Sequence, residues 1–330
     1  MKIVFRFLYR VLFILFLVFG AVYLFGPDEQ MTGEIVFNPS NIGDDAELYL
    51  TERESAYSDI RTGLQKEIIW QDEATKGKTA YSVIYLHGYT ASKEEIRPVP
   101  DRTAEHLGAN LFYARFKGHG RTSDAMAEVT VDGWLNDAAE AIAVGAATGD
   151  KVVVIATSTG AAIVTWLAAN KPELVSSVAA FVFVSPNYGI HPPADFVLRF
   201  PLARTFVPLF FGKERLVERE TEAERHAWTT PYASVSLAPM AKIMEEGRET
   251  NVGAINIPAL FIFSPNDQVV NPENTRNVMS RWGGETEAME VTDSTDDSEH
   301  VIAGDLRSPN TTDKVVERVN EWLEETFTNP

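Results

Sequence analysis

The sequence predicts an α/β fold: a mainly parallel sheet covered by helices on both faces, with a helical insertion late in the sheet and a membrane-inserting helix in front. Three observations carry this expectation. Short β-branched and aromatic runs recur at residues 82–86, 110–116, 151–156, 179–184 and 258–263. Helical patterns separate most of them, at 101–107, 131–147, 161–170 and 272–282, and strands alternating with helices make parallel units whose strands are apolar on both faces. The opening MKIVFRFLYRVLFILFLVFGAVYLF is almost wholly apolar.

In that opening stretch Lys2, Arg6 and Arg10 precede an apolar run over residues 11–25. The run alone is short for a bilayer span. A helix that includes Phe7, Leu8 and Tyr9, with Arg10 snorkelling to the interface, reaches the roughly 17 to 20 residues a span needs. A signal-peptidase site would show small residues after the run, but it ends in Tyr23, Leu24 and Phe25. Residues 1–26 are therefore expected to be an uncleaved anchor, with a cleaved signal peptide as the alternative. Cations ahead of the run put the N-terminus in the cytoplasm and the remaining chain on the far side, periplasmic or extracellular.

Residues 27–80 form a polar, mixed extension with a helix expected over 46–60, a strand over 66–71 and no legible chemistry. The main domain is expected over 81–330, closing with a weak strand at 287–291 and an amphipathic helix at 313–327. Inside it, residues 186–257 show no convincing strand and carry Phe196, Phe200, Phe206, Leu209, Phe210 and Phe211. So much apolar surface suits a lid over an apolar pocket, or else an added helical layer packed for stability.

Composition narrows the chemistry. A net charge of −18 argues against a nucleic-acid partner, which needs clustered Lys and Arg. With Cys 0 there is no disulfide framework, thiolate zinc site or thiol nucleophile. The acidic DSTDDSEH stretch lacks the spacing of a calcium loop and reads as a solvated loop, so no metal or cofactor is expected. Protein partners are not legible.

The stretch VVVIATSTGAA, residues 152–162, runs an apolar strand into a small-x-Ser-x-Gly turn and then a helix. That context can lift the Ser158 hydroxyl above the sheet as a nucleophile, though a hydroxyl-rich turn capping the helix would read the same way. A nucleophilic serine needs a histidine base and an acid to orient it. Of the 6 histidines, His300 in DSEHVIAG follows the last expected strand, where a loop can bring an imidazole over the strand ends. Asp267, in the turn SPND after the preceding strand, completes the chain order Ser, Asp, His; its rivals Asp293, Asp296, Asp297 and Glu299 are nearer only in sequence. Oxyanion donors are expected from the amides of Thr159 and of Tyr89 in LHGYTAS. His87, beside Tyr89, is read as a brace for that loop.

From about residue 82 onward the chain resembles the α/β-hydrolase superfamily, most of all its carboxylesterase and monoacylglycerol-lipase branch. The matching motifs are His87-Gly88, Gly118-His119-Gly120, the helix TVDGWLNDAAEAI, Ser158 with Gly160, the acid turn SPNDQVV and the late His300. Ala156 stands where the family usually has its first elbow glycine. The resemblance implies Ser158, Asp267 and His300 as nucleophile, acid and base, Tyr89 and Thr159 as oxyanion amides, and residues 186–257 as a cap. The activity expected is hydrolysis of a small-molecule carboxylic ester with an apolar or lipid-like acyl group. An aminopeptidase, thioesterase or acyltransferase would share every residue named, and a non-catalytic scaffold is the remaining alternative.

Overall fold

The structure is a computed structural model that describes residues 2–328. A long helix α1 (Lys2–Phe25) leads the chain; its Val4–Phe25 stretch, with mean hydropathy 2.3, is long and apolar enough to cross a membrane. There follow α2 (Ala46–Ser55), β1 (Glu67–Ile69), β2 (Thr79–Leu86), α3 (Val99–Leu107), β3 (Asn110–Tyr113), α4 (Ser123–Ala127), α5 (Val131–Thr148) and β4 (Gly149–Thr157). Next come α6 (Thr159–Asn170) and β5 (Val178–Val184). The segment after β5 holds α7 (Ala194–Leu198), α8 (Ala203–Phe211), β6 (Glu214–Arg215), α9 (Glu222–Ala227), β7 (Tyr232–Ala233) and α10 (Leu237–Glu249). The chain closes with β8 (Ala259–Phe263), α11 (Pro272–Arg281), β9 (Thr286–Glu290) and α12 (Pro309–Thr328).

The main sheet is 7-stranded in the order β1-β3-β2-β4-β5-β8-β9, parallel except for the antiparallel edge pair β1–β3. Successive side chains on a strand point to opposite faces, so an apolar run fills two cores at once. Ile84, Leu86, Val152, Val154, Phe181, Phe183 and Phe261 pack on one face with α5, α6 and α10. Their neighbours Val83, Tyr85, Val153, Ile155, Val182 and Leu260 pack on the other with α3 and α12.

Several elements differ from expectation. α2 ends at Ser55 rather than near residue 60, where Tyr57 turns in against the guanidinium groups of Arg115 and Arg121, 5.4 and 4.2 Å from its ring. β3 stops at Tyr113, and β1 shrinks to Glu67–Ile69. The segment after β5, without an evident strand in the sequence, holds the two-residue ribbon β6–β7.

The polar stretch ahead of the sheet is strapped along one face of α5 by Asp132, Asn136 and Glu140, four residues apart and so stacked on consecutive turns. Asp132 accepts from the Thr32 and Gly33 amides, Asn136 from those of Val36 and Phe37, and Glu140 from Tyr49 Oη and the Lys66 ammonium. Lys66 and Glu140 are both buried, and removing one partner leaves a charge stranded away from water. Lys66→Ala should therefore cost about 3 kcal/mol of stability, read from urea unfolding; a loss below about 1 kcal/mol would show that Arg53, 3.6 Å from Glu140, compensates alone.

Candidate active site

Parallel α/β sheets gather their functional loops at the carboxyl ends of the strands, and β2, β4, β8 and β9 each deliver one here. β4 ends at Thr157, α6 begins at Thr159, and Ser158 alone makes the turn with φ 50 and ψ −117. A non-glycine residue there is strained by roughly 1–3 kcal/mol and persists because its surroundings over-determine it. The Ser158 amide donates to Val184 O at 3.0 Å, and its carbonyl accepts from the amides of Ala161 and Asn187 at 3.1 and 3.0 Å. Gly160 allows the turn to close: a Cβ there would lie 2.5 Å from Leu86 O and 2.7 Å from His87 O. Ala156, in the strand itself, is fully buried between Leu86 and Phe183 in register and has the space it needs.

Ser158, His300 and Asp267 lie in one hydrogen-bonded chain. His300 Nδ1–H donates to Asp267 Oδ2 at 2.7 Å, which leaves the Nε2 lone pair facing Ser158 Oγ–H at 3.1 Å. Asp267 follows β8 and is 3 % exposed; its other oxygen accepts from the Val269 and Val270 amides at 2.8 and 2.9 Å. The imidazole is nearly enclosed. Burial opposes its charge, but the Asp267 carboxylate, aided by Glu95 and Asp296, outweighs burial and holds His300 above its ordinary value of 6.5.

Two residues of this neighbourhood have roles that the sequence did not indicate. Asp296, one of the rival acids, instead shapes the histidine loop: Oδ2 accepts from the His300 and Val301 amides at 2.9 and 3.0 Å, and Oδ1 pairs with Arg307. Burial raises Asp296, but its hydrogen bonds from Ser298, Arg307 and these amides win and hold it below the usual carboxylate range. Its only sequence signal is an acid four residues before the histidine with an arginine beyond. Glu95, 3 % exposed, sits beneath the loop after β2, and burial pushes its carboxyl up.

That loop holds Tyr89, and Thr159 opens α6 beside it. Among the described residues the backbone N–H groups of Tyr89 and Thr159 have no acceptor, and the loop is pressed so close that a Cβ on Gly88 would lie 3.1 Å from Ser158 Cβ. His87 braces it as expected: Nδ1–H donates to Gly88 O at 2.9 Å while Nε2 accepts from the Phe116 amide at 3.1 Å. Burial lowers His87 to about 4, which keeps it neutral in that role. Among the described residues no His, Asp and Glu cluster suited to a metal ion is present.

A family model described as serine aminopeptidase, S33 (Hydrolase_4), matches residues 77–295. The chain belongs to this family of α/β hydrolases. Solved structures share its fold. One, from a study of LipS and LipT, two metagenome-derived lipolytic enzymes, is 20% identical with a TM-score of 0.66 over 81% of this chain and 99% of that one. The monoacylglycerol lipase of Paleococcus ferrophilus is 15% identical, TM-score 0.59, over 80% and 100%. A soluble variant of Saccharomyces cerevisiae monoglyceride lipase, solved with a substrate analogue, is 14% identical, TM-score 0.58, over 79% and 91%. No curated protein sequence matches. Fold and family make the chain an α/β hydrolase.

The raised value of His300 fixes a sign. Its native-state protonation contributes stability that is fully present below its unfolded value near 6.5 and is lost as pH rises through the higher folded value. Histidine-ring NMR should place the His300 midpoint above 6.5, and Asp267→Asn should lower it; an unmoved midpoint would remove Asp267 as the cause.

Proposed function

We propose that this protein is a serine hydrolase that cleaves carboxylic esters of apolar, lipid-like acyl groups at a membrane surface. The observation that carries the reading is the Ser158–His300–Asp267 chain beside the two free amides of Tyr89 and Thr159. In this mechanism Ser158 Oγ attacks the ester carbonyl carbon as His300 Nε2 takes its proton. The carbonyl oxygen becomes an oxyanion and accepts from the Tyr89 and Thr159 amides. Asp267 stabilises the imidazolium that forms. Collapse breaks the bond to the alcohol oxygen, which leaves with the proton from His300 and gives an acyl-Ser158. Water, deprotonated by the same histidine, attacks the acyl carbon and releases the acid, and the proton returns to Ser158.

The apolar substrate and the membrane setting draw support from the front of the chain. Phe19 and Tyr23 of α1 pack on Phe200, with ring centroids 4.8 and 5.8 Å apart. Glu29 grips Arg204 of α8 through both carboxylate oxygens, at 2.7 Å for the closest contact. On the same helix Leu209 and Phe210 are 76% and 78% exposed, apolar surface suited to resting on a bilayer. A cavity of about 630 Å³ beside these contacts is lined by Tyr23, Phe196 and Phe200 together with the charged Glu29, Arg199 and Lys242.

A second reading, cleavage of peptide bonds at a free N-terminus, is favoured by the description of the matching family. The two separate on substrates. p-Nitrophenyl butyrate should be turned over and aminoacyl p-nitroanilides should not, with Ser158→Ala lowering kcat by at least roughly a thousandfold; preference for the anilides would favour the peptidase. For topology, α1 is an uncleaved anchor with the hydrolase on the far side of the membrane. The full chain should resist extraction by alkaline carbonate and keep residues 2–25; a soluble chain starting near Gly26 would make α1 a signal peptide.

A further inference from the structure

The hydrolytic mechanism leaves one well-buried carboxyl beside the Tyr89 loop without a part. Glu95 Oε2 accepts from the Gly88 amide at 2.7 Å and from Tyr85 Oη–H at 2.8 Å. Tyr85 Oη in turn lies 3.1 Å from Thr157 Oγ1. Thr157 directly precedes Ser158, and Gly88 directly precedes Tyr89. A single carboxylate oxygen thus ties the end of β4, which carries Ser158 and the Thr159 amide, to the loop that carries the Tyr89 amide.

The constraint on Tyr89 is geometric. A trans peptide is planar, so its C=O and N–H point in opposite directions, and holding Gly88 O fixes where the Tyr89 N–H points. Gly88 O is held by His87 Nδ1–H at 2.9 Å and by the Ala91 amide at 3.2 Å. Glu95 holds the preceding peptide plane through its N–H, so both planes around Gly88 are fixed. Nothing can intervene: a Cβ on Gly88 would meet Glu95 Oε1 at 2.7 Å and Ser158 Cβ at 3.1 Å.

We propose that Glu95 is a positioning residue that sets the spacing and direction of the two oxyanion amides, through Gly88 on one side and Tyr85–Thr157 on the other. The proposal rests on the hydrolase reading above. It acts on the transition state, because only there does the substrate oxygen carry the charge that the amides meet. Ground-state binding of an ester depends little on it.

The test uses the full chain in detergent with p-nitrophenyl butyrate, comparing Glu95→Ala, Glu95→Gln, Tyr85→Phe and Ser158→Ala. Loss of one oxyanion donor costs roughly 100- to 1000-fold in kcat, so its misplacement in Glu95→Ala should cost about 10- to 100-fold with KM within about twofold. Glu95→Gln keeps an acceptor for Gly88 and Tyr85 and should recover most of kcat. Tyr85→Phe, which removes the bonds to Glu95 and Thr157 but leaves Glu95 on the Gly88 amide, should fall between. Equal losses in Glu95→Gln and Glu95→Ala, or a lowered thermal midpoint with wild-type kcat per folded molecule, would overturn the proposal. If Glu95→Ala fails to fold, Glu95→Gln and Tyr85→Phe decide: near-wild-type kcat in the first with a loss in the second supports it, and wild-type kcat in Tyr85→Phe overturns it. Retained activity in Ser158→Ala would instead sink the hydrolase reading itself.

Discussion

Everything at the candidate site depends on one backbone constraint, the positive φ of Ser158 between β4 and α6. A serine in that conformation cannot relax into strand or helix without giving up three hydrogen bonds, to Val184, Ala161 and Asn187. The same turn brings the start of α6 against the end of β2, which is why position 160 is glycine. It also leaves the Thr159 amide, as a first-turn donor, without an intrahelical partner. Hydroxyl and free amide therefore arise together from a single bend.

The other loops are organised to meet that bend. His300 sits on a long loop after the edge strand β9, and the surroundings restrain it heavily. Asp296 gathers the amides of residues 300 and 301, Arg307 clamps Asp296, and Glu224 of α9 takes the other side of Arg307 at 3.1 Å. The histidine loop is thereby coupled to the segment between β5 and β8. His191, in that segment, holds the Asp267 carbonyl at 2.8 Å. Movement of this segment would be felt by both members of the acid–histidine pair.

The sheet was legible in sequence because its central strands are buried on both faces and so read as unbroken apolar runs. Ser158, Asp267 and His300 could be named for a different reason: each follows a recognisable strand in an order that only a few folds produce. What stayed hidden depends on partners distant in sequence. Glu95 reads as one charge in SKEEIR, and nothing local says that it turns inward beneath Gly88. Asp132, Asn136 and Glu140 read as the wet face of a helix until residues 32–66 lie down on them. The ribbon β6–β7 is too short to have a period at all, and α2 stops early because Tyr57 finds cations that no helical pattern could announce.

In the proposed mechanism Ser158 is activated by His300 and forms a covalent bond during the reaction. Incubating the full chain with a fluorophosphonate and mapping the adduct by peptide mass spectrometry tests it directly. The expected result is a single phosphonylated residue, Ser158, with labelling abolished by Ser158→Ala and strongly slowed by His300→Ala. Labelling of another serine, or none at all in a folded sample, would contradict it.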